Sequence, residues 1–386
     1  MSHEPVRAAE VLIVGGGPAG AALGIALGHR GRTVTLIEQS ATAHDKVCGE
    51  FLSHEAVDYL ESLGLAPRAL GAVAIHAVRL HGRSAIAECK LPIPALSLTR
   101  RTLDEALLAR AAGEGVTVHR GKRVEALTRA SDGWQARVSG GAVHGGRTAF
   151  LATGKHDMNG YRRPAGIQND LVGFKMYFRL AEEQVKPLNG WVELFLFPGG
   201  YAGLQMVESG RANLCLLVTR ERLAQCGGEW AALLEHMREA SQPLAKRLEG
   251  AAPLLAKPLA ISSIPFGLLP GKMQDGLWRL GDQAAVIPSF SGDGMSMALH
   301  SGLLAAEMYE RGASAAEFAD AMRAQFRSSV QLATSVSRLM VRAPVLVQAA
   351  RLWPGLLGHI AARTRVTETS RMTSMPDLRH NGAGLR

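Results

Sequence analysis

Only four of the 386 residues are cysteine (Cys48, Cys89, Cys215 and Cys226), with no CxxC pair and no histidine at zinc-ligand spacing. That scarcity speaks against a metal site and against a disulfide framework. Hydrolytic signatures are missing too: there is no HExxH, no GxSxG and no paired-carboxylate pattern, and His44, His54, His76, His81, His156 and His300 stand singly, as surface or satisfied core histidines do. The first apolar run, Val11 to Val14, ends in a glycine cluster and lacks the charged start and cleavage site of a signal peptide, so the cytoplasm is the expected compartment. No internal repeat or low-complexity tract is visible. Acidic residues are scarce at one end: residues 321–386 hold ten arginines against Glu368 and Asp377, a net +8 out of the chain's +9. The basic character belongs to a tail, and with no recognition motif beside it the sequence does not point to nucleic acid.

What is present is a chain long enough for roughly two domains, with 47% hydrophobic residues to fill their cores. Residues 10–38 read as strand, glycine turn, helix and second strand. Gly15-Gly16-Gly17-Pro18-Ala19-Gly20 fits GxGxxG at the mouth of the helix, and Glu38 ends the second strand 23 residues after Gly15. In that context Gly15 permits the tight turn, Gly17 lets backbone approach a pyrophosphate, Gly20 allows helix to pack on strand, and the helix N-terminus offers free N–H groups. Glu38 would accept from ribose hydroxyls and repel a 2′-phosphate, which selects FAD or NAD over NADP. The choice of FAD comes from Gly281-Asp282 after a late strand, followed by Ser289-Phe290-Ser291-Gly292-Asp293-Gly294-Met295 and a helix from about 294 to 311. Asp282 could bind a ribityl hydroxyl, and the N–H groups at Gly294 and Met295 could face the negative end of a reduced isoalloxazine.

The segments between these motifs predict an α/β fold. A Rossmann-like FAD-binding domain is expected from 1–71, 96–158 and 272–325, an antiparallel-sheet substrate domain from 72–95 and 159–271 with one helix near 229–248, and a C-terminal helical region from 326–386.

Residues 8–315 resemble the two-domain FAD-dependent oxidoreductases that include aromatic hydroxylases of the para-hydroxybenzoate type and the geranylgeranyl reductases. The resemblance rests on VLIVGGGPAGAALGIALGHRGRTVTLIE, KVCGEFLS at 46–53, RRTLDEALLARAAGEGV from 100, ATG at 152–154 and LWRLGDQAAVIPSFSGDGMSMAL at 277–299. It implies that Pro18, Ala19, Gln39, Lys46, Cys48, Gly49, Thr153, Gly154, Gly292 and Asp293 join the cofactor site. It also implies that Arg100 reaches the phosphate and ribityl region and that Val124 lies against adenine through its backbone. On the reductase side of the group a Cys-Gly pair like Cys48-Gly49 runs past the flavin, and FPGGYAGL at 197–204 is similar to a cavity strand, though without its Trp and second Pro. On the hydroxylase side the strand ending in Ala152-Thr153-Gly154 should be followed by Asp-Gly; here Thr153 replaces the acid. The WxWxIP motif of flavin-dependent halogenases is absent, and so is a second GxGxxG, so that NADH or NADPH would act as a transient electron donor.

Two chemistries stay open. One is monooxygenation of an apolar aromatic or polyketide-type molecule through a flavin C4a-hydroperoxide, towards which the reading leans. The other is reduction of a C=C bond in an isoprenoid or other lipophilic substrate, with Cys48 or Tyr201 delivering the proton. A flavoprotein without net redox turnover is a third reading. Residues 343–362, interrupted by Arg351 and Pro354, are expected not to span a membrane. Their flanking arginines, Arg338, Arg342, Arg363 and Arg365, fit either an interfacial helix on anionic lipid or a helical cap on the fold.

Overall fold

The computed structural model describes residues 9–82, 86–271 and 275–342, together with Arg363. Its first strand, β1 (Ala9–Val14), is apolar on both faces because it lies inside a sheet covered on both sides. It pairs in parallel with β2 (Val34–Glu38) and with Val143–Leu151 (Val11↔Val34, Ile13↔Phe150). Among the described residues this sheet has seven strands. Thr117–Arg120, β2, β1 and Val143–Leu151 run parallel, Gly133–Val138 and Val124–Ala130 follow antiparallel, and Trp278–Arg279 lies parallel beside the end of Val143–Leu151.

Helix α1 (Pro18–His29) connects β1 to β2. Pro18 suits its first turn, where a backbone N–H would have no helical partner. The helix is buried from Pro18 to Leu27 because a second helix, Gly294–Glu310, packs on it. Contact is close at Gly302, where a Cβ would sit 2.4 Å from the Ala19 carbonyl oxygen. Between these layers His300 is held by Tyr59 Oη (2.8 Å) and Gln325 Oε1 (2.6 Å), and burial pushes it down to about 4. It is a satisfied core histidine.

A nine-stranded sheet forms the second layer. Its order is Ala252–Pro253, Leu171–Arg179, Arg211–Thr219, Gly200–Val207, Trp191–Phe197, Val73–His81, Ile86–Ser97 and Phe51–Leu52, with Leu259–Ser262 also on Leu171–Arg179. Its one parallel join among the described residues is Val73–His81 with Trp191–Phe197 (Ala77↔Trp191). Alternation divides the faces. Ala202, Leu204 and Met206 pack beneath Leu188, Leu233, Met237 and Leu244 from three short helices, while Tyr201 and Gln205 point to the opposite side. The single helix expected near 229–248 is two, Trp230–Ala240 and Gln242–Arg247. Ser241 between them is extended (φ −139°, ψ 94°), and its hydroxyl accepts from Leu244 N–H (3.4 Å) to start the second.

Helix Ala315–Arg342 joins the layers, placing Phe318, Met322, Phe326 and Val330 in the first core and Val336, Met340 and Val341 in the core against the second sheet. No helix among the described residues is long and apolar enough to cross a membrane. The stretch 343–362 read as an interfacial helix or cap lies outside the described residues.

On the outer face of the second sheet Glu193 is fully buried between Arg79 (2.5 Å) and Arg247 (2.8 and 2.9 Å), with His81 Nε2 at 3.7 Å. Burial alone would raise its carboxyl, but His81, Arg247 and Arg79 hold it down at about 2. The folded form therefore keeps the charge that the unfolded chain loses near pH 4.5, so this stabilisation is whole above that value and disappears as pH falls from about 4.5 to about 2. It amounts to about 3 kcal/mol. Urea melts between pH 2 and 6 should show a steeper loss of stability in the wild type than in Glu193→Gln, since Asp104 and other paired carboxylates still titrate in the variant; an unchanged slope would refute the assignment.

Candidate functional site

The glycine turn after β1 is shaped by contacts that exclude side chains. Gly15 has φ +109°, and a Cβ there would lie 2.3 Å from the Ala152 carbonyl oxygen; at Gly20 it would lie 2.0 Å from the Gly15 oxygen. Gly15 N–H donates to Ile37 O (2.8 Å). The turn thus sits flush against both neighbouring strands, and α1 begins with Gly17 at its N-cap and its free N–H groups facing out.

Glu38 closes one end of the site. Its buried carboxylate accepts from Gly16 N–H (2.8 Å) and Ser40 N–H (2.9 Å), and a cleft beside it is lined by Ser40, His44, Lys46, Asp104 and Arg120. Gln39 is exposed next to it. Val124 packs on the cluster that contains Ile37, and Lys122 N–H donates to Glu38 O (3.1 Å), which brings the start of that strand to the same end.

Arg100 lies across the turn. Its helix (Arg100–Gly113) is capped by the Thr99 hydroxyl, and its guanidinium forks onto Asp104 (2.7 and 2.9 Å) about 3.5 Å from where a Gly17 Cβ would be. Lys46 reaches the same carboxylate at 2.7 Å. Burial would raise the Asp104 carboxyl, but Arg100 and Lys46 hold it below its ordinary value. Two cations on one carboxylate leave a net positive charge beside the glycine turn, which suits an anion.

The far end is built from three backbone turns. Thr153 bonds His156 O through its hydroxyl (2.7 Å), and Gly154, at φ +62°, accepts from Gln283 Nε2 (2.7 Å). Gly281, at φ +56°, donates to Ser301 Oγ (2.8 Å), and the Asp282 carbonyl accepts from Arg163 (2.9 Å). Gly292 lies against Phe51, Asp293 is buried, and Gly294 opens the long helix, whose Met295 side chain enters the core, so only its backbone faces the site. Cys48 and Gly49 complete the rim; their carbonyls accept from Asn213 Nδ2 (3.2 and 3.0 Å), and Gly49 O also accepts from Gln205 Nε2 (3.0 Å).

The glycines test whether FAD fits. Gly15, Gly20 and Gly302 are explained by packing, but a Cβ at Gly49, Gly154 or Gly294 would meet no heavy atom within 4 Å. Three glycines from distant segments thus leave room beside their backbones, and with the Glu38 carboxylate at the glycine turn and a helix N-terminus at Gly294 they fit an extended dinucleotide.

Of the two candidate proton donors, the Cys48 thiol accepts from Glu50 N–H (3.3 Å) and bonds the Arg100 side chain. Tyr201 is buried, with its hydroxyl on Ser289 Oγ (3.2 Å); burial raises it above the ordinary phenol value. Several residues around the site carry no local sequence signal: Glu50, Lys175, Tyr177, Arg163, Gln205 and Asn213 all act on partners a hundred or more positions away. Glu208 is another, accepting from Thr99 and Thr102 to bind the second sheet to the Arg100 helix.

Residues 8–150 match the family described as FAD binding domain. The chain is 27% identical to a menaquinone reductase of Mycolicibacterium smegmatis over 79% of its own length and 77% of that protein's. It is 31% identical to a squalene monooxygenase of Rattus norvegicus over 34% of this chain and 21% of that one. Among solved structures, the flavin-dependent brominase Bmp2 superposes with a TM-score of 0.76 at 18% identity, covering 96% of this chain and 95% of the other, a likeness of fold alone. Cofactor cradle and family match agree: residues 8–150 carry an FAD-binding domain, and the chain is an FAD-dependent oxidoreductase.

Proposed function

We propose that the protein is a monooxygenase that hydroxylates an apolar aromatic small molecule, with NADH or NADPH as a transient reductant. Its FAD is assigned to 1–71, 96–158 and 272–325, and its substrate to the face of the sheet formed by 72–95 and 159–271. Bound FAD would supply the reaction with oxygen; the chain binds, orients and keeps water out. Gly15, Gly17 and the start of α1 would hold the pyrophosphate, Glu38 the ribose, Arg100 the phosphate region, and the turns at Gly154, Asp282 and Gly294 the ring-bearing half. Leu194 and Phe290, half-buried against the core on that side of the sheet, give the adjoining space an apolar border suited to a lipophilic substrate.

The observation that carries oxygenation over reduction is the state of the candidate acids. A C=C reductase needs a donor free to protonate substrate, whereas Cys48 and Tyr201 are both engaged within the protein. The second reading, reduction of a lipophilic isoprenoid or quinone, is favoured by the relative named menaquinone reductase, which matches over most of both chains.

Rapid mixing separates them. Holoprotein reduced anaerobically and mixed with oxygenated buffer and alkyl phenols should show a transient species before the oxidised spectrum returns, and a product that carries oxygen from labelled O2. Single-phase reoxidation with every phenol, together with anaerobic oxidation of the reduced protein by a prenylated quinone, would move the assignment to the reductase.

A further inference from the structure

Directly behind the Lys46–Gly49 turn sits a buried charge cluster with no part in the cradle described above. Glu50 is fully buried at φ +61°, a backbone region that a non-glycine residue occupies only under constraint. Its carboxylate meets the fully buried Lys175 ammonium at 2.5 Å and accepts from Tyr177 Oη at 2.8 and 2.9 Å and from Arg100 N–H at 2.9 Å. The Lys175 nitrogen lies 4.4 Å from the Tyr177 ring centre, and Arg211 lies 4.9 Å from the same ring. Tyr177 also reaches Asp45 (3.4 Å), the residue just before the turn. Lys175 stands opposite Cys215, and Tyr177 opposite Asn213, whose amide holds the Cys48 and Gly49 carbonyls.

A buried ion pair is a weak source of stability, since well-packed apolar residues of the same volume serve as well. Here it coincides with a strained backbone as well, next to the Asn213 and Gln205 bonds by which the second sheet grips the turn at the rim of the cleft. We propose that Glu50, Lys175 and Tyr177 are positioning residues for the flavin: they fix the Cys48-Gly49 backbone at the rim of the cleft and balance a positive and a negative charge behind it, and so set how readily the bound cofactor is reduced. This rests on reading the cleft as the FAD site.

Charge gives the prediction its sign. Glu50→Gln leaves a cation behind the turn and favours the anionic reduced cofactor, so the midpoint potential should rise. Lys175→Met leaves an anion and should lower it. Each shift should be about tenfold in the reduction equilibrium, about 30 mV for a two-electron couple. Lys175→Arg, which keeps the charge, should remain near the wild type, and Glu50→Gln/Lys175→Met, with neither charge, should return towards it. The experiment measures FAD affinity of each apoprotein by fluorescence titration, then the midpoint potential of the loaded form against a reference dye. Opposite shifts from the single variants support the proposal; equal potentials, or shifts of one sign, overturn it. If a single variant does not fold, Tyr177→Phe decides: it removes the carboxylate's hydroxyl donor and leaves both charges, and an unchanged visible circular dichroism of the bound flavin overturns the proposal. Failure of the wild-type apoprotein to bind FAD would overturn the cofactor reading itself, an outcome distinct from a potential that does not move.

Discussion

Gly15→Val should yield a protein that elutes from gel filtration without flavin. A Cβ at this position would lie 2.3 Å from the Ala152 oxygen and 2.6 Å from the Ala152 carbon, both backbone atoms of the neighbouring strand turn, so no side chain can swing aside. The φ of +109° adds its own strain. Left-handed backbone costs a non-glycine residue about 1–2 kcal/mol and overpacking about 1–3 kcal/mol, so stability should fall by about 2–5 kcal/mol in a urea melt. Gly49→Leu provides the contrast: its Cβ meets nothing within 4 Å, so the melt should stay near the wild type while FAD affinity falls at least tenfold. If Gly49→Leu retained FAD at wild-type affinity, the open space at that glycine would not belong to the cofactor.

Glu38→Arg should lower FAD retention at least tenfold, by two routes. It withdraws the acceptor from Gly16 N–H and Ser40 N–H, each a hydrogen bond to a charged group and each worth about 1.5–3 kcal/mol. It also sets a second guanidinium near Arg120, whose charge now interacts with Glu38. Flavin content per protein after gel filtration is the measurement, and an occupancy equal to wild type would contradict the ribose assignment. Glu38→Gln, which keeps one acceptor oxygen, should fall between.

Gly15 is legible in the sequence because its backbone constraint is local, and Glu38 because it ends the very next strand. A strand, a turn and a helix N-terminus lie within a dozen residues, and only glycine satisfies the turn that joins them. Gly281, Gly292 and Gly294 were legible for the same reason: a backbone that must bend or approach closely leaves a mark at its own position. Lys175 left none. In the sequence it is a cation in the middle of LVGFKMYFR, where alternation would place it on either face of a strand, and the acid it meets is in a segment that reads as a loop. Glu193 is hidden likewise, since Arg79 is 114 positions away and Arg247 is 54. The split of the 229–248 helix is marked in the sequence by Ser241 and Pro243, the N-cap and first-turn proline of the second helix, but the apolar spacing runs on through them and reads as one helix.

The parallel join of Val73–His81 to Trp191–Phe197 bears on how the chain is made. Strand Val73–His81 can pair at once with Ile86–Ser97, its hairpin neighbour, but its other edge has to wait for residues more than a hundred positions later. During synthesis at about 5–20 residues per second that edge stands open for several seconds, with its backbone donors and acceptors unmet. Contacts of such long sequence separation also slow folding after release. The nascent chain is therefore exposed to edge-to-edge association while the sheet behind the glycine turn is still incomplete, since Trp278–Arg279 emerges later still. Expression at low temperature with chaperone capacity to spare should raise the soluble yield more than added flavin does, because the cofactor's cradle closes only after that interval has passed.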